Sequence, residues 1–125
     1  MIRVKRVYAQ AVPEDGARIL VDRLWPRGFT KASAPWERWM KEIAPSNTLR
    51  RRVHALSEAG HQEQAWAEFV AAYSEELDDL PAAVEELRTI AAEGPVTLLY
   101  AARDEAHNNA VALAAYMKRK GGASG

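Results

Sequence analysis

Three short stretches of the chain have the apolar patterns of β-strands. Residues 2–8 alternate between apolar and polar residues, which indicates a short strand of the type found at a sheet edge. Residues 18–24 and 96–102 are more continuously apolar, as expected for strands that are covered on both faces. The connection through residues 9–16 is too short for a helical crossover. The first two strands therefore form either an antiparallel hairpin or a parallel pair joined by a compressed loop.

Residues 34–93 follow the helical period instead, and a last helical segment follows the third strand. Ser46, directly after a proline, is a good N-cap for the second of these helices. The five predicted helices cover approximately residues 34–43, 46–56, 66–77, 81–91 and 107–119. The face of the first is formed by Trp36, Trp39, Met40 and Ile43. The aromatic residues expected to be mostly buried are Trp36, Trp39, Trp66, Phe69 and Tyr73.

Together these elements predict a single α/β domain over residues 1–120. Its core is a small, mainly parallel sheet of three or more strands, flanked by about five helices. A chain of 125 residues is one domain by the usual size of domains, and it contains no repeat and no linker. Residues 121–125, rich in glycine, are predicted to form a flexible tail.

Composition narrows the possible functions. The chain has 17 basic and 17 acidic residues, so no overall field attracts nucleic acid or an anionic membrane. Cysteine is absent, which excludes disulfides, thiolate catalysis and thiolate metal sites. The N-terminus has no signal-peptide core, and no apolar run approaches the length of a membrane span. We therefore expect a cytoplasmic protein that has no membrane partner.

Unusual polar chemistry is concentrated where two of the predicted strands end. Residues 22–28 follow the second strand, and residues 103–109 follow the third. In open α/β sheets the ligand crevice lies outside the carboxyl ends of the strands. We therefore expect the two loops to converge and to form one site.

The first of these loops has the residues needed to hold an anion. Asp22 can fix an arginine by a bidentate pair, and Gly28 lets a backbone approach a ligand. Arg23 and Arg27 are then placed to grip one anion from two sides. An equally weighted interpretation makes Asp22 and Arg23 a structural pair and Trp25 a core residue.

The start of the second helix offers another anion site. Ser46 and Arg50 lie near free backbone N–H groups and the positive end of the helix dipole. The favoured alternative is an ordinary N-cap followed by a solvated basic face formed by residues 50–52.

In the second loop, Asp104 can orient His107 as a general acid or base. The favoured alternative makes Asp104 the N-cap of the last helix, with His107 at its third position. His54 and His61 do not have metal-ligand spacing with His107, so we expect no zinc or other metal site.

Four spaced motifs resemble the YeaO-like proteins, a family of small bacterial proteins known as domain of unknown function 488. The resemblance spans residues 2–118 and implies an α/β fold with a small sheet, but no activity. It also implies that the Cys-His-Arg cluster of more distant relatives is replaced by residues 107–109, which removes any thiol role. The motifs are Val-Asp-Arg-Leu-Trp-Pro-Arg-Gly at residues 21–28, Ala-Pro-Ser-x-x-Leu-Arg at 44–50, Phe-x-x-x-Tyr-x-x-Glu-Leu at 69–77, and Val-Thr-Leu-Leu-Tyr-Ala-Ala-x-Asp-x-x-His-Asn-x-Ala at 96–110.

The leading functional hypothesis is binding, with or without turnover, of a small anionic ligand at the strand-end loops. A phosphate- or carboxylate-bearing metabolite or a nucleotide would fit, and no cofactor is expected. Alternatives are an interaction module that meets nucleic acid or a protein through residues 50–52, and a homodimer joined by exposed tryptophans. The predicted ligand-binding residues are Arg23, Arg27, Gly28, Ser46, Arg50, Tyr100 and Asn108, with Lys31 as a peripheral charge. The predicted catalytic residues are His107 and Asp104.

Overall fold

Four parallel strands form a sheet in the order β1-β4-β2-β3. The structure is a computed structural model that describes the backbone of residues 2–122 and the side chains of residues 2–120. β4 lies between β1 and β2, with Val96 opposite both Ile2 and Ala17. All five β4 residues are buried, which explains their continuous apolar pattern. The strands are β1 (Ile2–Arg6), β2 (Ala17–Leu20), β3 (Arg38–Trp39) and β4 (Val96–Tyr100).

The first two strands are not neighbours, which corrects both predicted arrangements. β1 is an edge strand, as predicted, and it pairs with β4 rather than with β2. Residues 7–16, which include a single 3₁₀ turn at Pro13–Asp15, make the connection. Ten extended residues reach about 33–36 Å, enough to return along a five-residue strand of about 17 Å and pass across β4. A parallel crossover therefore forms here without a helix.

The structure has four helices rather than about five. They are α1 (Asn47–Glu58), α2 (Gln62–Asp78), α3 (Pro81–Glu93) and α4 (Asn109–Gly122). Pro81 occupies the first turn of α3, where its missing N–H removes no helical hydrogen bond. Of the tail predicted for residues 121–125, residues 121–122 belong to α4 and residues 123–125 lie outside the described residues. Across residues 2–122, no helix is long and apolar enough to cross a membrane.

The helix predicted over residues 34–43 is wrong. This segment instead forms β3 and a 3₁₀ turn at Lys41–Ile43. The N–H groups of Glu37 and Met40 donate to carbonyls of β2, so the segment provides hydrogen-bond partners for the free edge of this strand. Its apolar side chains divide between two clusters: Met40 belongs to the main core, whereas Trp39 packs against the smaller cluster. The helical spacing of these residues is therefore coincidental.

The main core lies between the sheet and the helices, and the smaller cluster includes Val7, Leu20 and Leu99. Phe69 and Tyr73 are buried as predicted, and the Tyr73 hydroxyl donates to the Ile43 carbonyl over 2.6 Å. Burial raises the pKa of Tyr73, so this hydroxyl remains a donor. Trp36, Trp39 and Trp66, also predicted to be mostly buried, are each only partly buried.

Candidate functional site

Two loops that leave adjacent parallel strands meet at one end of the sheet. We name them the β2 loop (residues 21–28) and the β4 loop (residues 101–108). The Ala101 N–H donates to Asp22 Oδ2 over 2.9 Å. Asn109, at the start of α4, donates from Nδ2 to Val21 O and to Asp22 Oδ1, both over 3.0 Å. The predicted convergence of the two loops is confirmed.

A cleft of about 1060 Å³ opens between these loops, α1 and α2. Arg27, Arg50 and Arg51 line it. Among the described side chains, no carboxylate oxygen lies within 4.0 Å of any of these three guanidinium groups. Three cations that form no ion pair within that distance thus share one concave surface in a chain whose net charge is zero.

Asp22 is the acidic residue that lines this cleft. It does not pair with Arg23, which corrects the predicted ion pair. Its carboxylate instead accepts the hydrogen bonds from Ala101 and Asn109. Burial raises the pKa of Asp22 above its usual value, although both hydrogen bonds and the charge of Arg50 oppose this effect. Asp22 therefore joins the two loops and places an acceptor in the cleft.

Arg23 and Ser46, both predicted to bind the ligand, make contacts within the protein and are absent from the cleft lining. Arg23 donates to the carbonyls of Ala44 (3.1 Å) and Pro45 (3.2 Å), which fixes the segment before α1. The Ser46 hydroxyl caps α1 and donates to Glu76 Oε2 over 2.6 Å, and its N–H donates to Glu76 Oε1. Glu76 thus supplies the anion expected at this helix N-terminus.

Asp104 and His107 do not form the predicted acid–base pair in this arrangement. Asp104 Oδ1 accepts the N–H groups of Ala106 and His107, each over 2.9 Å, and these bonds lower the pKa of Asp104. The carboxylate therefore orients the His107 backbone. The imidazole stacks on Trp66, with ring centroids 4.5 Å apart and planes 17° apart.

The N-cap of α4 is Asn108 rather than Asp104. Asn108 Oδ1 accepts the Val111 N–H over 2.9 Å, and Asn108 Nδ2 donates to the Asp104 carbonyl. The residue is buried yet borders the cleft. Its amide is used to begin the helix, which is the role that an asparagine at this position ordinarily has.

Of the remaining predicted site residues, one lines the cleft and three do not. Arg27 is exposed, and its carbonyl accepts the Tyr8 hydroxyl over 3.0 Å. Gly28 has a φ of 92° and is exposed, but it does not line the cleft. Tyr100 is buried in the main core, where burial raises its pKa. Lys31 is exposed outside the cleft lining.

Sequence reasoning missed the aromatic character of the cleft. Tyr8, Leu24 and Trp25 are 46%, 63% and 37% exposed, and all three line it. Trp66, interpreted from its spacing as a core residue, forms part of the wall together with His107. Arg51 and Asn109 also line the cleft, but neither was predicted to be a ligand-binding residue. The available signal for Asn109 was its place as the last residue of the polar stretch 103–109.

The fold and this crevice define a single-domain α/β protein with a parallel sheet and a cationic cleft at the carboxyl ends of two adjacent strands. The family model described as the inactive DUF488-N3 subclade matches residues 1–123, and the chain belongs to the DUF488 family. The resemblance to YeaO-like proteins is thereby confirmed.

Two relatives extend over nearly the whole chain. YeaO of Escherichia coli, an uncharacterised protein, is 40% identical over 117 residues, which cover 94% of this chain and 96% of YeaO. The uncharacterised protein Rv3073c of Mycobacterium tuberculosis is 42% identical over 113 residues, 90% of each chain. No solved structure matches the chain.

Proposed function

We propose that the protein binds a small anion, a phosphate- or carboxylate-bearing metabolite or a nucleotide, in the cleft. One observation carries this proposal: Arg27, Arg50 and Arg51 line the same cleft without a carboxylate partner within 4.0 Å among the described side chains. Guanidinium groups bind carboxylate and phosphate by paired, charge-assisted hydrogen bonds. A concave cationic surface also concentrates anions locally.

Binding without turnover is the form of this proposal that the contacts support. A histidine that acts as a general base is ordinarily held in a productive orientation by a third group that contacts its ring. The Asp104 carboxylate is engaged by backbone N–H groups, and the His107 ring lies against Trp66. The description of the matching subclade as inactive agrees with this interpretation.

The alternative of a basic helix face at residues 50–52 has weaker support. Arg52 lies 3.7 Å from Glu68 of α2, so it faces an acid rather than the cleft. Arg50 and Arg51 share the cleft with Arg27. The arginine run is therefore divided between an ion pair and the proposed ligand site.

Arg50→Ala is expected to weaken anion binding by about 10- to 150-fold, the effect of losing a charge-assisted hydrogen bond. Titration calorimetry with phosphate, sulfate, citrate and AMP at low ionic strength measures this change. Arg52→Ala is the matched control, since Arg52 is on the same helix but outside the cleft lining. Equal losses in the two variants, or no binding of any of these anions by the wild type, would contradict the proposal.

Arg27→Ala is expected to leave the free energy of unfolding within about 0.5 kcal/mol of wild type, because the guanidinium is exposed and has no acidic partner. The same variant should lose part of the rise in melting temperature that a bound anion produces. Arg23→Ala provides the contrast. It strands the Ala44 and Pro45 carbonyls and should cost about 1–3 kcal/mol without any anion. Strong destabilisation by Arg27→Ala alone would assign Arg27 to the scaffold.

A further inference from the structure

The cleft combines three kinds of group, and the cations account for only one of them. Exposed aromatic rings line it, among them Tyr8, Trp25 and the stacked pair of His107 and Trp66. A partly buried carboxylate, Asp22, lines it as well. Inorganic phosphate or a simple carboxylic acid would use the arginines, but it would not cover the exposed aromatic faces, and it would bring a second negative charge towards Asp22.

Asp22 restricts what the ligand can be. Each of its oxygens accepts one hydrogen bond from the protein, and an ionised carboxylate has about four acceptor positions. Among the described side chains, no Lys, Arg or His nitrogen lies within 4.0 Å of it. The charge of Arg50 acts on Asp22 only from beyond that distance, so this partly desolvated carboxylate gains from a ligand that donates a hydrogen bond to it. The ligand that suits it therefore carries a donor as well as an anion.

The aromatic rings restrict the ligand further. A planar, electron-rich base stacks favourably on tryptophan, tyrosine and histidine faces. The cleft volume of about 1060 Å³ exceeds what a phosphate ion needs and leaves room for a base, a sugar and a phosphate. Arg50 and Arg51, both on α1, line the same cleft as Asp22.

From this combination we propose, building on the anion site above, that the ligand is a nucleotide whose base carries an amino group. The amino group donates to the Asp22 carboxylate, and the phosphate is held by the arginines. Asp22 is thus the residue that distinguishes this ligand from other anions of similar charge.

The first test needs only the wild-type protein. Affinities of AMP, GMP and CMP are compared with that of ribose 5-phosphate, which keeps the anion and lacks the base. The tightest nucleotide is then compared with its amino-free analogue: purine riboside 5′-monophosphate for AMP, IMP for GMP, or 2-pyrimidinone riboside 5′-monophosphate for CMP. We expect at least about 10-fold preference for the amino nucleotide in both comparisons.

The outcomes separate this inference from the anion site. Binding of ribose 5-phosphate that depends on Arg50, with no preference for an amino base, would overturn the nucleotide assignment and keep the anion site. Preference over ribose 5-phosphate but not over the amino-free analogue would reduce the contact to stacking and remove the role of Asp22. Absence of binding by every phosphate would overturn both proposals.

Asp22→Asn tests the residue itself. The variant should lose most of the preference for the amino nucleotide over its analogue, because its amide keeps only one oxygen, for which the Ala101 and Asn109 donors compete with the ligand. Binding of ribose 5-phosphate also reports whether the cleft of the variant is intact. Asp79→Asn is the control, since Asp79 is exposed and outside the cleft lining. An unchanged preference in Asp22→Asn would overturn the proposal, and if this variant does not fold, the wild-type series decides.

Discussion

Gly16→Ala is expected to lower the free energy of unfolding by about 2–5 kcal/mol. Gly16 has a φ of 65°, and a Cβ there would lie 2.2 Å from the Pro95 carbonyl oxygen. Neither backbone can withdraw freely. The Ala17 N–H donates to that same oxygen over 3.0 Å, and the Thr97 hydroxyl donates to the Asp15 carbonyl over 2.8 Å. The added methyl would therefore force apart the starts of β2 and β4.

Gly60→Ala provides a comparison in which the added methyl meets no clash. Gly60 also has a positive φ, of 89°, but a Cβ there would meet no atom within 4 Å. It should cost only the penalty of a left-handed conformation, about 1–2 kcal/mol. Urea unfolding of both variants measures the difference. Equal losses would mean that the contact with Pro95 relaxes, and that the close approach of the two strands is not rigid.

The strands of the sheet could be predicted where the sequence pattern is local. Residues 96–102 predicted a strand covered on both faces, and β4 is buried throughout between β1 and β2. The alternation of residues 2–8 predicted an edge strand, which is the position of β1. In each case the pattern of side chains within the strand reflects its surroundings. A strand covered on both faces needs a continuous apolar run, whereas a strand with one solvated face alternates.

The pairing of strands could not be predicted, because it depends on residues distant in the chain. β1 and β2 both pair with β4, about 80 to 95 residues later. The apolar residues of segment 34–43 have helical spacing, yet Glu37 and Met40 donate backbone hydrogen bonds to the otherwise unpaired edge of β2. Competition for a free sheet edge is a tertiary effect that overrides a short-range pattern.

The same distinction applies to the candidate site. Its location followed from two polar loops at strand ends, a topological rule that requires no knowledge of partners. The roles of single residues did not follow. Arg23 donates to the carbonyls of Ala44 and Pro45, and Asp22 accepts the N–H of Ala101, 79 residues away. Adjacent opposite charges in the sequence suggested a pair, but each group has a better-placed partner elsewhere.

Lys5→Met is expected to lower the free energy of unfolding by about 2–4 kcal/mol at neutral pH. Lys5 Nζ lies 3.1 Å from both carboxylate oxygens of Asp15, whose side chain is only 5% exposed. Methionine keeps most of the aliphatic stem and removes the charge. Asp15 is then a buried carboxylate with the Val12 N–H as its remaining hydrogen-bond donor. The quarter exposure of Lys5 places the expected loss below that of a fully buried pair.

The pH dependence of this loss identifies its cause. Burial raises the pKa of Asp15, but the Val12 N–H and the hydrogen bonds and charge of Lys5 outweigh burial, so the pKa lies below its ordinary value. A group whose pKa is lowered by folding stabilises the protein above its unfolded pKa of about 3.9, and this contribution disappears as the pH falls through the folded value. The difference between wild type and Lys5→Met should therefore be largest near neutrality and shrink in acid. Lys31→Met, at an exposed lysine, should stay within about 0.5 kcal/mol of wild type throughout. A loss that is independent of pH would assign the effect of Lys5 to the packing of its stem rather than to the charge of Asp15.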